Sequence, residues 1–138
     1  MSKTLPDVSS WIGKTTRGSE LASAAPIARL AAIFGIKPPA QNEGDALPPG
    51  WHTVYFTPTH GPERMRHDGS AGAGALSPPV QFAKQRVGMD RAEYPGVIRL
   101  GDMLTRTSTL ADIKVTQTPK GPVMHQFIRN EISTPRGL

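Results

Sequence analysis

The stretch from Ile98 to Thr134 constrains the fold more than any other. Two long runs of alternating, β-branched-rich sequence, "RLGDMLTRTSTLADIKV" and "PVMHQFIRNEIST", flank Pro119, Lys120 and Gly121. Alternation on this length scale predicts strands, and the Pro-Lys-Gly element between them predicts the turn of a hairpin. The expected strands cover residues 97–116 and 122–134. In the first, Met103, Thr105, Thr107, Thr109, Ala111, Ile113 and Val115 share one face; in the second, Met124, Gln126, Ile128, Asn130 and Ile132 share another. Neither face is strongly oily, so one side is expected to meet a helix and the other solvent or a partner sheet. A lone hairpin is marginal in water, which makes that covering helix necessary.

The segment "SELASAAPIARLAAIFGI", residues 19–36, supplies the one helical pattern. Ile27, Leu30, Ala31 and Phe34 recur at i, i+3, i+4 and i+7, the spacing of a single apolar stripe. Pro26 suits a first turn, where its missing N–H has no partner to lose. Gly35 suits the residue after the helix, and Pro38-Pro39 forbid continuation.

Elsewhere the breakers dominate. Gly and Pro, fourteen of each, make up about a fifth of the 138 residues. "KPPAQNEGDALPPG", residues 37–50, reads as a connector. "WHTVYFTP", residues 51–58, alternates Trp51, Thr53 and Tyr55 with His52, Val54 and Phe56 and predicts a short strand. Residues 59–96 form a long Gly/Pro-rich loop, with a further short strand expected around Val80–Val87. The order helix, strand, long loop, then strands indicates an α+β protein in one domain spanning residues 1–138.

The absence of cysteine excludes disulfides, thiolate metal sites and thiol nucleophiles, and leaves the cytoplasm as the expected location. No apolar run approaches the ~18 residues of a membrane span. A net charge of +5 and a pI near 10.0 favour anionic partners. The basic residues are dispersed and are not interleaved with aromatics, which makes nucleic acid an unlikely partner. Trp11, the one anchor in the polar lead-in, is expected to pack against the domain.

Chemistry is hard to find. His52, His60, His67 and His125 do not have metal-ligand spacing, although His60, His67 and Asp68 lie close in sequence. Gly69, Gly72 and Gly74 follow no buried strand, and Pro78-Pro79 block the helix that a phosphate loop needs. Ser77 lacks the G-x-S-x-G elbow. Asp68-Gly69 reads as a turn, and Asp102 after Gly101 as the point where a strand enters a bend. No catalytic residue, metal ligand or cofactor is assigned, and substrate-binding residues are unknown from sequence.

The run from Leu47-Pro48-Pro49 and Trp51-His52 through Tyr55-Phe56, Asp68-Gly69 and Pro78-Pro79-Val80 to "RLGDMLTRTSTLADI" and "KGPVMHQFIRNEIS" resembles a known group. It is similar to the N-terminal half of the MaoC-like type 2 hydroxyacyl-thioester dehydratases, among them mesaconyl-CoA, methylfumaryl-CoA and itaconyl-CoA hydratases. The block with Gly101-Asp102, Thr105, Ser108 and Asp112, followed by Gly121 and Glu131, carries the likeness most specifically.

The resemblance implies a hot-dog fold, an antiparallel sheet around one helix, here incomplete as half of a double hot dog. It also implies water addition to or removal from an enoyl or 3-hydroxyacyl thioester of coenzyme A, which is the substrate rather than a resident cofactor. Such a reaction needs an acid/base pair and a donor to an enolate-like oxygen. The family places an aspartate and a histidine in a Gly-Asp-x-Asn-Pro-x-His segment of its C-terminal unit. "LGDMLTR" does not match that segment, so no catalytic role passes to Asp102. Arg86-Val87-Gly88-Met89-Asp90 stand where the family carries Met-Trp-Ala-Gly-Gly. The chain also stops before the further strand and second unit that the likeness implies. The expectation is a non-catalytic half of an acyl-CoA hydratase or dehydratase, completed by a second hot-dog unit. The alternative is a stand-alone binder of acyl-CoA or another anionic ligand.

Overall fold

The computed structural model describes residues 5–69, 74–80 and 86–137. Its regular elements are strand β1 (Thr15–Leu21), helix α1 (Ala24–Phe34) and strands β2 (Met103–Thr118) and β3 (Gly121–Ser133), with short 3-10 turns at Ser9–Trp11, Trp51–Val54 and Pro62–Arg64. One three-stranded sheet has the order β1-β2-β3. β1 runs antiparallel to β2: Gly13 N–H donates to the Leu110 carbonyl at one end, and Ala22 N–H to the Asp102 carbonyl at the other. The class is α+β, as expected.

By contacts the chain divides into two compact units. One comprises Met1–Thr16, Thr59–Met89 and Thr107–Asn130, the other Arg17–Pro58, Asp90–Arg106 and Glu131–Leu138.

The second unit holds the main core, in which Ala22, Ile27, Ala40, Leu47, Tyr55, Leu100 and Leu104 cluster, with Trp51, Val54, Phe56, Ile98 and Ile132 packed against them. Ile27 and Leu104 are fully buried, which ties the helix stripe to the sheet. Burial of side chains of this size contributes ~1.5–3 kcal/mol each. The stripe fades toward its C-terminal end: Ile27 and Ala31 are buried, Leu30 is partly covered, and Phe34 is exposed with its ring edge-on to Trp51.

α1 ends as its sequence requires. Gly35 takes the left-handed conformation at φ 66°, Gly35 N–H donates to Ala32 and Ile36 N–H to Ala31. This pattern satisfies the last carbonyls of the helix and needs a residue without a Cβ penalty.

In the first unit Val8, Leu76 and Leu110 are buried, and Ser108, also buried, shares a 2.7 Å hydrogen bond with the amide oxygen of Asn130. Trp11 is half-buried beneath the Lys14 ammonium, 3.4 Å from the ring centroid.

Three expectations are corrected. Residues 51–58 form no strand: Trp51–Val54 is a 3-10 turn that starts at Gly50 with φ 90°, and Thr53 Oγ1 donates back to the Gly50 carbonyl. Among the described residues no strand lies alongside to supply a ladder, and the alternating bulky residues are satisfied by packing into the core, Tyr55 most completely. Residues 19–21 belong to β1 and not to the helix, and the polar lead-in likewise gives Thr15–Gly18 to that strand. The sheet offers those residues inter-strand hydrogen bonds, which outweighs weak helical propensity.

The third correction concerns the first strand of the hairpin, for which the sequence left the inner face open. The even-numbered side of β2, with Leu104, Ser108 and Leu110, is the buried one, whereas Met103 is half exposed. The strand bounds also shift, from 97–116 to Met103–Thr118, because Gly101 at φ 95° turns the chain just before β2. The strand expected around Val80–Val87 falls largely outside the described residues. The described parts of 59–96 hold no helix beyond the Pro62–Arg64 turn.

Candidate functional site

The groove in the second unit is built by backbone pairing of two loops. Leu47 N–H donates to the Ile98 carbonyl, Leu100 N–H to Asp45, and Gly44 N–H to Leu100, so residues 44–47 and 98–100 run side by side. The prolines that follow Leu47 then lead into the turn that carries His52. The result is a hollow of about 160 Å³ with walls of Leu47, Pro48, Pro49, Val97 and Ile98, closed by His52, Tyr94 and Gly96.

His52 and Tyr94 meet edge to face, with ring centroids 5.8 Å apart. Burial pushes the His52 imidazole below its ordinary pKa, and the nearby Asp90 carboxylate only partly offsets this. The ring is therefore neutral at pH 7, with one nitrogen as donor and the other as acceptor. The hollow combines apolar walls with two polar rings, His52 and Tyr94, and at about 160 Å³ it is smaller than the pockets that enclose drug-sized ligands.

A second cluster surrounds Phe56. Its φ of 60° is the only positive value among the described non-glycine residues. Glu20 Oε2, on β1, accepts the Phe56 N–H, and the Arg106 guanidinium lies 4.8 Å above the ring centroid. Strain of this kind costs ~1–3 kcal/mol and persists where surrounding contacts over-determine it. Glu20 and Arg106 supply those contacts. Tyr55, next in the chain, donates its hydroxyl to the Ser23 carbonyl at 2.6 Å, which ties the turn to the start of α1.

Asp102 lies where the chain enters β2, as expected from sequence, and is buried. Its carboxylate accepts the Arg99 N–H at 2.8 Å and both terminal nitrogens of Arg136. The Arg136 hydrogen bonds, with the Arg99 N–H, hold its pKa below the ordinary carboxylate value against the opposing effect of burial. All of its chemistry is spent on these partners. Arg136 also donates to the Val97 carbonyl, so the clamp reaches a residue that lines the groove.

Among the described residues no group of three or more His, Cys, Asp or Glu side chains, His60, His67 and His125 included, is placed to hold a metal ion. Asp68-Gly69 is a turn, with Gly69 at φ 81° and its N–H on the Arg66 carbonyl. Ser77 N–H closes a turn on Gly74. Among the described residues no helix is long and apolar enough to cross a membrane.

The first unit has a wider hollow of about 440 Å³, with Leu5, Val8, Ile12, Ile113 and Val115 in its lining. The acidic residue there, Asp7, is already engaged by the Ser9 N–H at 2.9 Å.

Sequence reasoning missed Glu20, Tyr94, Arg106 and Arg136. Their partners lie on average dozens of positions away, and no local motif marks such pairs. No protein-family model matches the chain, and no curated protein matches it either.

Proposed function

We propose that the chain is the non-catalytic half of an acyl-CoA hydratase or dehydratase, a hot-dog unit completed by a second unit that carries the acid/base pair. The observation that carries this reading is the ordered run of segments from Leu47-Pro48-Pro49 to "KGPVMHQFIRNEIS", which resembles the N-terminal half of MaoC-like dehydratases. An antiparallel sheet with one helix packed on it is compatible with a partial hot dog. Among the described residues β3 pairs with β2 on one side only, and Phe127 and Ile128 on it stay nearly half exposed. An open edge with apolar side chains is the kind of surface that pairs with another sheet.

The test is reconstitution. The chain alone is expected to hydrate no enoyl-CoA, and the chain mixed with a hot-dog unit bearing the Gly-Asp-x-Asn-Pro-x-His segment is expected to co-purify and do so. Failure of such units to associate, or full activity of the partner alone, overturns the proposal.

The groove favours a second reading, a stand-alone acyl-CoA binder. Saturable binding of an acyl-CoA with no partner and no turnover in any mixture distinguishes it from the first.

A further inference from the structure

We propose that Arg106, Phe56 and Gly18 form a binding site for a small oxyanion, a carboxylate or a phosphate, on the face of the β1–β2 ladder that carries Glu20. The site shares no residue with the His52 hollow and does not depend on the acyl-thioester reading.

The register of the two strands assembles it. Ala22 N–H donates to the Asp102 carbonyl, and the Ser19 hydroxyl lies 3.2 Å from that of Thr105. Gly18 therefore stands directly opposite Arg106, and the two side-chain positions share one face of the sheet. Glu20, two residues along β1, shares that face.

Three observations carry the proposal. The first is a guanidinium with nothing to bond. Arg106 lies over the Phe56 ring, 4.8 Å from its centroid, yet among the described residues it has no hydrogen bond and no ion pair. The ring restrains the side chain and leaves the fork of N–H donors free, in the geometry that takes a carboxylate or phosphate two-pronged.

The second is Gly18, which the fold itself does not call for. Its φ lies outside the left-handed region, and a Cβ built on it meets no described residue within 4 Å. Glycine inside a strand weakens it and often marks a place where a ligand approaches the backbone. Because opposed Cβ positions are about 5 Å apart, that open space adjoins the Arg106 side chain.

The third is the aiming of the ring. Phe56 is the one described non-glycine residue of positive φ, and Glu20 holds it there by accepting its N–H. Backbone strain of this kind gathers where a side chain must be fixed for binding. Glu20 is spent on that contact and makes no ion pair with Arg106, so the charge of the guanidinium stays available.

The experiment titrates the full chain with acetate and, separately, with methyl phosphate, at constant ionic strength in sodium chloride. NMR follows the Arg106 Nε–Hε and Gly18 amide resonances. At least one anion is expected to shift both saturably, and the arm that does so assigns the ligand as carboxylate or phosphate. Arg106→Lys keeps the charge and loses the fork, and is expected to weaken the anion about tenfold at the Gly18 amide. Gly18→Val fills the open space with a good strand former. It is expected to leave resistance to urea at least equal to the parent's and to abolish the saturable Arg106 shift.

No saturable shift with either anion overturns the proposal, as does unchanged affinity in the Arg106→Lys chain or in a folded Gly18→Val chain. Should Gly18→Val fail to fold, the Arg106→Lys titration alone decides.

Discussion

Arg136 grips Asp102 with both ends of its guanidinium: Nη1 donates to Oδ1 at 2.8 Å and Nη2 to Oδ2 at 2.5 Å. The two residues are 34 positions apart, and their pairing fastens the segment after β3 to the entrance of β2. The Thr134–Gly137 bridge folds that segment back so that Arg136 can reach. The carboxylate is buried and the guanidinium half exposed, so one partner depends on the other for its charge compensation.

The clamp makes stability depend on acid. The folded-state pKa of Asp102 lies below the ordinary value of 3.8, so its contribution is complete above that value. It is lost as pH falls from about there through the folded pKa, because the unfolded chain then binds the proton more readily. Asp102→Asn is expected to cost about 1–3 kcal/mol at pH 7 and to flatten the acid limb of stability against pH. Urea unfolding at pH 7, 4 and 3 measures both, and an unchanged acid limb in the variant contradicts the assignment.

The core predicts a larger effect at one position. Leu104 is fully buried in the cluster with Ile27 and Tyr55, so Leu104→Ala is expected to lose about 2–5 kcal/mol. Met103, its neighbour on the opposite face, is half exposed, and Met103→Ala is expected to change stability by less than about 1 kcal/mol. Chemical denaturation of the two variants reads which face of β2 is covered.

That contrast shows where the sequence was legible. The threonines at 105, 107 and 109 and the residues around them alternate clearly enough to announce a strand and, with Pro119-Lys120-Gly121, a hairpin. They do not say which face is inner, since Leu104 and Leu110 are separated by Arg106 and Ser108. The core tolerates both, because Ser108 finds Asn130 and Arg106 lies over Phe56. α1 was legible because its stripe and its Gly35 stop are local. "WHTVYFTP" was not, because its alternation serves packing of a 3-10 turn on the core, which only the fold reveals. The groove was invisible for the same reason: Pro48, His52, Tyr94 and Val97 meet only through the pairing of residues 44–47 with 98–100.

Gly101 tests the turn into β2. At φ 95° a Cβ would be strained by conformation and would also stand 2.9 Å from the Glu43 Cγ. Gly101→Ala is expected to cost about 1–2 kcal/mol. Glu43→Ala in the same chain relieves the contact and leaves the conformational part, so thermal unfolding of single and double variants separates the two. A Gly101→Ala protein as stable as the parent refutes the strained geometry.

Tyr55 offers the clearest alkaline signature. Burial, followed by the Glu20 charge, raises its pKa from 10.0 to about 12. Its hydroxyl donates to Ser23, and a phenolate cannot make that bond. Because the folded value lies above the unfolded one, its contribution is fully present below pH 10 and is lost as pH rises from 10 toward 12. Tyr55→Phe is expected to cost about 0.5–1.5 kcal/mol at neutral pH, the worth of one hydrogen bond, and to remove that alkaline slope. The chain has two tyrosines, so ultraviolet titration of Tyr94→Phe follows Tyr55 alone. Its ionisation is expected to coincide with loss of the folded circular dichroism signal. Ionisation near pH 10 in a still-folded protein overturns the contact with Ser23.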